Sequence, residues 1–428
     1  MSTYVNYCIQ LADEAGAVRH GEQALALAQT LPADAGQVKL MLVIRQRLAT
    51  ALAMAGRFDD ALAHFEAAQA ALAAASKARG ARKKAAAPLL DAAEQAEFHD
   101  NFAVVLDNLG RADDASAQRR SAIAAAQIGG DAAQQVSLLA NHAVSRLGAG
   151  AVHEARELVE QAQRLIASYE MRGSTVGFCA VLQMQCARAL GRYTLALAAG
   201  DLAESELRSS NPARLPVVHL HRAHGWIELG QHARAQQALQ LAAAGERLPP
   251  HFEARRLVLL ARLQRINGSD GSDLLAQAAA IAPRTGWPEI AMIVDVERAQ
   301  LLDDEQAVAL LQATLTLAQQ RGLQGSCLAA LLRLAQCHAA RGDAKASAAA
   351  ARQALKLAQS AEPSFIYRAE LWLHAGAALT AAKAAREAAE VLHTAQHWVR
   401  ERAAHDVPAP FVDSFLQRNP VNRALLTR

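Results

Sequence analysis

Residues Ala53–Ala68 read AMAGRFDDALAHFEAA, and they decide the fold. One helix ends near Gly56, a tight turn carries Arg57 and Phe58, and Asp59-Asp60 open a second helix. Paired carboxylates suit that place, because the N-terminus of a helix offers unsatisfied N–H groups and the positive end of its dipole. Ala61, Phe65 and Ala68 then stand at i, i+4 and i+7, on one face. The stretch is the corner of a helical hairpin.

Variants of this corner recur. Gly110 sits in NLGRADDASAQRR, Gly150 in RLGAGAVHEARELVEQA, Gly191 in ALGRYTLALAAGDLA and Gly230 in ELGQHARAQQALQLA. The steps between them are 40, 41 and 39 residues, and a looser corner at Asn267-Gly268 follows 38 further on. Asp303-Asp304-Glu305 makes a corner without glycine, Gly342 makes another, and Leu371–Val399 reads as the last hairpin. At the other end, Thr3–Thr30 reads as the first hairpin, with its corner at Gly16-Ala17-Val18. The count is about ten hairpins and twenty helices, with no strand.

A period of about 40 residues with two helices per unit predicts an all-α fold: a right-handed α-α superhelix, or solenoid. A lone hairpin cannot bury its apolar face, whereas stacked hairpins share one continuous core. The expectation is a single undivided array over residues 1–428, with low contact order and energetic coupling passed between neighbours. Two segments depart from the period. Gly56 and Gly110 lie 54 residues apart, and the excess falls in 76–88, SKARGARKKAAAP, which carries Lys77, Arg79, Arg82, Lys83 and Lys84. It reads as a longer basic hairpin connection or an overhanging helix end, either solvated or in contact with an anionic partner. Residues 405–428 read as a capping tail. There Pro408 and Pro410 end the last helix, Phe411, Phe415 and Leu416 form an apolar face, and Asn419-Pro420 opens a final turn.

Composition narrows the function classes. Lys+Arg number 44 against 41 Asp+Glu, so no basic field calls for direct contact with nucleic acid. Hydrophobic residues are 52% but aromatics only 4%, because Ala supplies much of the apolar content. No apolar run is long enough for a membrane span, and MSTYVNYCIQLADEAG lacks the basic start and apolar core of a leader. Cys8, Cys179, Cys186, Cys327 and Cys337 form no C-x-x-C pair and read as reduced, buried thiols of a cytoplasmic protein.

The hairpins resemble the tetratricopeptide repeat. In the last unit Trp372, Ala375-Gly376 and Leu379 precede Ala388, Leu392 and Ala395, which is the family's order of an aromatic, a small pair at the helix crossing, and a small–large–small second face. Gly56, Phe58, Ala61, Phe65 and Ala68 match its second half. The family's usual length is 34 residues, and most units here lack the first-helix aromatic. HEAT-like repeats have the length but another internal pattern. Long units and the 405–426 tail are together similar to the sensor region of bacterial STAND-type, maltose-regulator-like transcription regulators. The chain carries no G-x-x-x-x-G-K-[ST] phosphate loop and no separate DNA-reading helices.

For chemistry, the densest polar cluster is His219, His221, Arg222 and His224 in VVHLHRAHGW, where His221 and His224 stand i, i+3. No H-E-x-x-H is present, and neither a metal site nor a cofactor is expected. First helices of such arrays line the concave surface. Counting from the corners places Asp100, Asn101, Asp107, Asn141, Gln185, Arg188, His221, His224, Arg255 and Arg262 on that face as candidate ligand-binding residues, with Gln336 beyond them. Asn and Arg there can hydrogen-bond a peptide backbone or a carboxylate. No catalytic constellation is found. The reading is a non-enzymatic module for a protein segment, a peptide or a small effector, in bacterial transcriptional regulation by resemblance. The alternative is a structural interaction scaffold, self-association included.

Overall fold

A computed structural model of the chain describes residues 14–32, 34–81, 88–244 and 248–427. Twenty-one α-helices and no strand occur among them, which is the all-α repeat fold expected from the period. No helix among the described residues is long and apolar enough to cross a membrane. Where the sequence suggested one undivided array, contacts gather the chain into two compact units, Met1–Leu138 and Leu139–Arg428, with the boundary inside one helix.

The first unit holds α1 (Glu14–Gln29), α2 (Ala35–Met54), α3 (Phe58–Ala81), α4 (Ala92–Asn108), α5 (Ala112–Gly129) and the start of α6 (Ala132–Ala149). The hairpin corner is as read. Gly56 has φ +74°, and the Arg57 N–H reaches back to the Leu52 carbonyl at 2.8 Å. This is a helix stop that only a left-handed residue allows, and glycine takes that conformation without a Cβ clash. The same bond, five residues back, closes the corners at Gly110, Gly150, Gly191, Gly230, Gly268 and Gly342. In the last hairpin Lys383 takes the glycine position at φ +60°. Ala61, Phe65 and Ala68 are fully buried. Phe65 stacks on Phe102 at 5.1 Å and meets Phe98 edge-on at 5.6 Å, so it fills the groove between hairpins.

One expectation for this unit changes. The corner at Gly16-Ala17-Val18 is absent, because α1 runs straight through it. A glycine inside a helix costs only about 1 kcal/mol relative to alanine, and nothing else in EAGAVRHGEQALALAQ forces a stop. The preceding helix of that expected hairpin falls on residues 1–13, outside the described residues. The basic stretch 76–88 begins as helix, since α3 continues to Ala81; Arg82, Lys83 and Lys84 lie outside the described residues.

The second unit continues with α7 (Val152–Ser168), α8 (Ser174–Ala189), α9 (Tyr193–Ser210), α10 (Leu215–Glu228), α11 (His232–Ala243), α12 (Pro250–Ile266) and α13 (Ser272–Ile281). Then follow α14 (Pro288–Arg298), α15 (Asp304–Gln320), α16 (Gln324–Ala340), α17 (Ala344–Leu357), α18 (Arg368–Ala381), α19 (Ala385–His405), α20 (Val412–Gln417) and α21 (Pro420–Leu426). The glycine-free corner works through Asp303, whose carboxylate accepts the Glu305 and Gln306 N–H groups. In the last hairpin a Cβ on Gly376 would stand 2.7 Å from Leu392 Cδ2, so α18 and α19 touch where the sequence placed a small residue. Cys327 and Cys337 share α16. Ten residues of helix separate their Cα atoms by roughly 15 Å, too far for a disulfide.

Most contacts in this unit join neighbouring helices, but not all of them do. The tail that the sequence assigned to capping packs against corners about 190 residues earlier. Ser414 Oγ donates to the Leu229 carbonyl, Gln231 Nε2 to Ser414 Oγ and Asn419 Nδ2 to the Glu228 carbonyl, each at 2.7 Å. Phe415 is fully buried against Tyr193, and Phe411 meets Trp226 edge-on at 5.2 Å. Gly230 therefore serves twice: it turns the chain, and a Cβ there would lie 2.4 Å from the Ser414 carbonyl oxygen.

Candidate functional site

The first helices of successive hairpins in the second unit present buried charges of alternating sign. Arg188 on α8 bonds Glu228 on α10 at 2.5 Å. Arg262 on α12 bonds Glu297 on α14 at 2.5 Å, and Arg265 joins the same carboxylate. Arg333 on α16 lies 3.8 Å from Glu297 and 2.7 Å from Glu370 on α18. Arg255 reaches Glu289 at 3.0 Å. Helix stacking sets this order, since each guanidinium meets the carboxylate of the next first helix.

Burial makes the pairs consequential. Glu297 is 1% exposed and Glu228 3%. Burial alone would raise the Glu297 carboxyl, but Arg262, Arg333 and Arg265 outweigh it and hold it well below the usual carboxylate range. Glu370 is likewise lowered, with Arg333 and His374 overcoming its burial. At Glu228 burial prevails over Arg188 and over the Tyr193 hydroxyl that donates to it at 2.9 Å, so its carboxyl is raised. Burial, with Arg255 and Arg188 nearby, pushes His221 down to about 3, and His224 is lowered for the same cause beside Arg188 and Arg262. Both imidazoles are neutral at pH 7.

A segment of the chain itself fills this face. Residues 358–367 link α17 to α18. The Phe365 ring lies 4.6 Å from that of His224, under the Arg262 guanidinium at 5.2 Å. The cavity left beside Arg188, Glu228, Glu362, Tyr367 and Trp398 measures about 10 Å³, room for one water. A wide, shallow depression of about 530 Å³, lined by Arg192, Thr194, Leu195, Ala198, Arg402 and Asp406, includes none of the residues singled out by the sequence.

The residues expected on a binding face thus separate by unit. Arg188, His221, His224, Arg255 and Arg262 come together in the buried ladder, with Gln185 half-buried one turn before Arg188. Asn141 is exposed on α6. Asp100, Asn101 and Asp107 belong to α4 in the first unit, half-buried, with Asp107 paired to Arg119 of α5 at 2.6 Å. His219 is half-buried, and no group of three metal-capable side chains occurs among the described residues. The sequence reading missed Glu228, Glu297, Arg333 and Glu370. Their signal was available: with Arg188 and Arg262 they form a series of opposite charges 34 to 40 residues apart, one per hairpin.

The open face of the first unit lies on α4 and α2. Glu97, Asp100, Asn101, Val104 and Asn108 recur along one side of α4, with Val104 43% exposed. On α2, Leu40, Arg47 and Met54 stand seven residues apart, with Leu40 38% and Met54 40% exposed. Lys39 pairs with Glu94 at 3.3 Å, which sets the starts of the two helices side by side.

Stacked helical hairpins, most of them with a glycine-stopped first helix, define the class: a tetratricopeptide-like helical array. No protein-family model matches the chain, and no curated protein matches it. Among solved structures it is similar to the apo form of the quorum sensor NprR from B. thuringiensis, at 12% identity over 83% of this chain and 97% of that one, TM-score 0.49. It is also similar to the apo form of RapI, at 12% identity over 84% and 96%, TM-score 0.48. A third is a Rap protein complexed with Competence and Sporulation Factor, at 13% identity over 78% and 98%, TM-score 0.48.

Proposed function

We propose that the chain is a non-enzymatic binding module whose first unit captures a protein segment or peptide on the α2–α4 face. The carrying observation is that face itself. Val104 leaves apolar surface exposed on α4, with Glu97, Asn101 and Asn108 along the same side of that helix, and Leu40 and Met54 leave apolar surface exposed on α2. Apolar contact ringed by directional polar groups suits a segment that brings an aliphatic side chain together with basic or amide donors. The ladder residues of the second unit have a different role here: they face one another and hold that unit closed. Transcriptional control, implied by the resemblance to large bacterial regulators, is the proposed readout.

Panning a random 12-residue peptide display library on the full chain tests the reading. Enriched peptides should lose at least tenfold in affinity for Val104→Arg and for Asn101→Ala, both at solvent-reached positions. No enrichment, or peptides indifferent to both variants, overturns it. One observation favours a second reading, a scaffold without effector: the second unit fills its shared face with its own segment and clasps its own tail. Light scattering that shows stable dimers unaffected by Val104→Arg would support the scaffold.

A further inference from the structure

The segment that fills the second unit is held as a bound peptide is held. The Glu362 N–H donates to the Gly150 carbonyl at 2.8 Å, and the Ser364 N–H donates to the Gly325 carbonyl at 3.0 Å. Alternate N–H groups of a chain without helical structure thus pair with backbone carbonyls of two different hairpins. Strand-like peptides are received in this way, with main-chain bonds giving affinity and side chains giving choice. Both acceptors are glycines, and the room depends on that. A Cβ on Gly150 would stand 2.9 Å from the Glu362 carbonyl oxygen, and one on Gly325 would stand 2.8 Å from the same oxygen and 2.4 Å from Ser364 Oγ.

Side chains add selection. Phe365 is the anchor: its ring sits against His224 and Arg262 and packs on the cores of both the α10–α12 and the α12–α14 regions. Glu362 is 4% exposed and pairs with Arg368, while its Oε2 has no hydrogen-bond partner among the described residues. The fit also has defects. Phe365 holds φ +60°, a left-handed conformation that strains a residue bearing a side chain. Ser364 Oγ and Ser326 Oγ are buried without a hydrogen-bond partner among the described residues. Strain and unpaired polar atoms weaken the hold of the resident segment relative to a peptide that lacks them.

We propose that the shared face of α8, α10, α12 and α16 is a peptide-binding site, and that Ser360–Tyr367 is its internal ligand. The site takes a non-helical peptide with a carboxylate side chain three residues before an aromatic, the pattern of Glu362 and Phe365. An outside peptide of that pattern exchanges with the segment, which makes the segment a built-in competitor. The site is separate from the α2–α4 face, so either proposal stands or falls without the other.

The test uses a fluorescein-labelled peptide QSAEPSFIY, the sequence of 359–367, titrated by anisotropy into the full chain and into Phe365→Ala. With the anchor gone, the peptide should bind at least tenfold more tightly than to the unaltered chain. The same peptide with Ala in place of Phe should bind neither. Helical circular dichroism and a cooperative melt establish that the variant is folded. A folded Phe365→Ala chain that binds the peptide no better than the unaltered chain overturns the proposal. If that variant does not fold, native-state hydrogen exchange on the unaltered chain decides. The Glu362 and Ser364 amides should exchange at least a hundredfold faster than the slowest α16 amides, through opening of the segment alone. Exchange as slow as α16 would mark a permanent clip and overturn it.

Discussion

Replacing Glu297 by glutamine removes a charge and little volume at the point where three guanidinium groups meet. Arg262 and Arg265 make no other ion pair among the described residues, whereas Arg333 keeps Glu370 at 2.7 Å. Breaking a buried pair from one side costs about 3–5 kcal/mol, because the remaining charge stays desolvated. Arg262 and Arg265 keep some solvent contact, at 13% and 21% side-chain exposure, so the lower end applies, about 3 kcal/mol. The assay is set by composition. All four tryptophans, Trp226, Trp287, Trp372 and Trp398, lie beyond Leu138, so tryptophan fluorescence follows the second unit alone. With a urea slope of about 3 kcal/mol per M, Glu297→Gln should lower the midpoint by about 1 M. Glu390→Gln, which breaks a pair whose partners are 94% and 65% exposed, is the control and should move it little. A Glu297→Gln midpoint within 0.3 M (roughly 1 kcal/mol) of the unaltered chain would refute the claim that the ladder holds the unit together.

Further outcomes follow from the same geometry. His221 titrates near its ordinary value when unfolded but only at about 3 when folded, so the unfolded chain binds the extra proton below pH 6.5. Stability therefore falls on acidification, by about 1.4 kcal/mol between pH 7.5 and 5.5 from this residue, and His221→Leu should flatten that part of a urea-midpoint pH profile. Gly56→Ala meets open space and should cost about 1 kcal/mol, from the backbone angle alone, in a thermal melt. Gly230→Ala must in addition push away Ser414, and should separate Trp226 from Phe411 with a visible change in fluorescence. Burial pushes the Cys179 and Cys186 thiols up to about 12, so both should resist DTNB at pH 8 until the second unit unfolds.

What the sequence disclosed, and what it hid, follows from range. The corners were legible because a left-handed glycine and a carboxylate pair act within a few residues of each other, as Gly56 does with Asp59 and Asp60. Phe65 was legible as groove filling because period and size both mark it. Gly16 misled, since a helix tolerates an isolated glycine when its neighbours are good helix formers. The candidate face was half legible. Arg188, His221, His224, Arg255 and Arg262 come together, yet the carboxylate partners of the three arginines lie 34 to 40 residues away and a solvated reading of each was the natural one. Nothing local marks 358–367 as an occupant. Its partners, Gly150, Gly325 and His224, come from three different hairpins.

The clasp between the tail and the corners near Leu229 and Gly230 changes how the second unit must fold. Hairpins that touch only their neighbours zip up one at a time and fray one at a time. Joining Ser414 to Leu229 closes a loop of 185 residues. Left unstructured, that loop carries an entropy cost on the order of 5 kcal/mol. The intervening hairpins must form first and shorten the gap, so closure comes late and locks them together. The expected signature is a single cooperative transition and slow unfolding, with the last ring-closing step setting the rate.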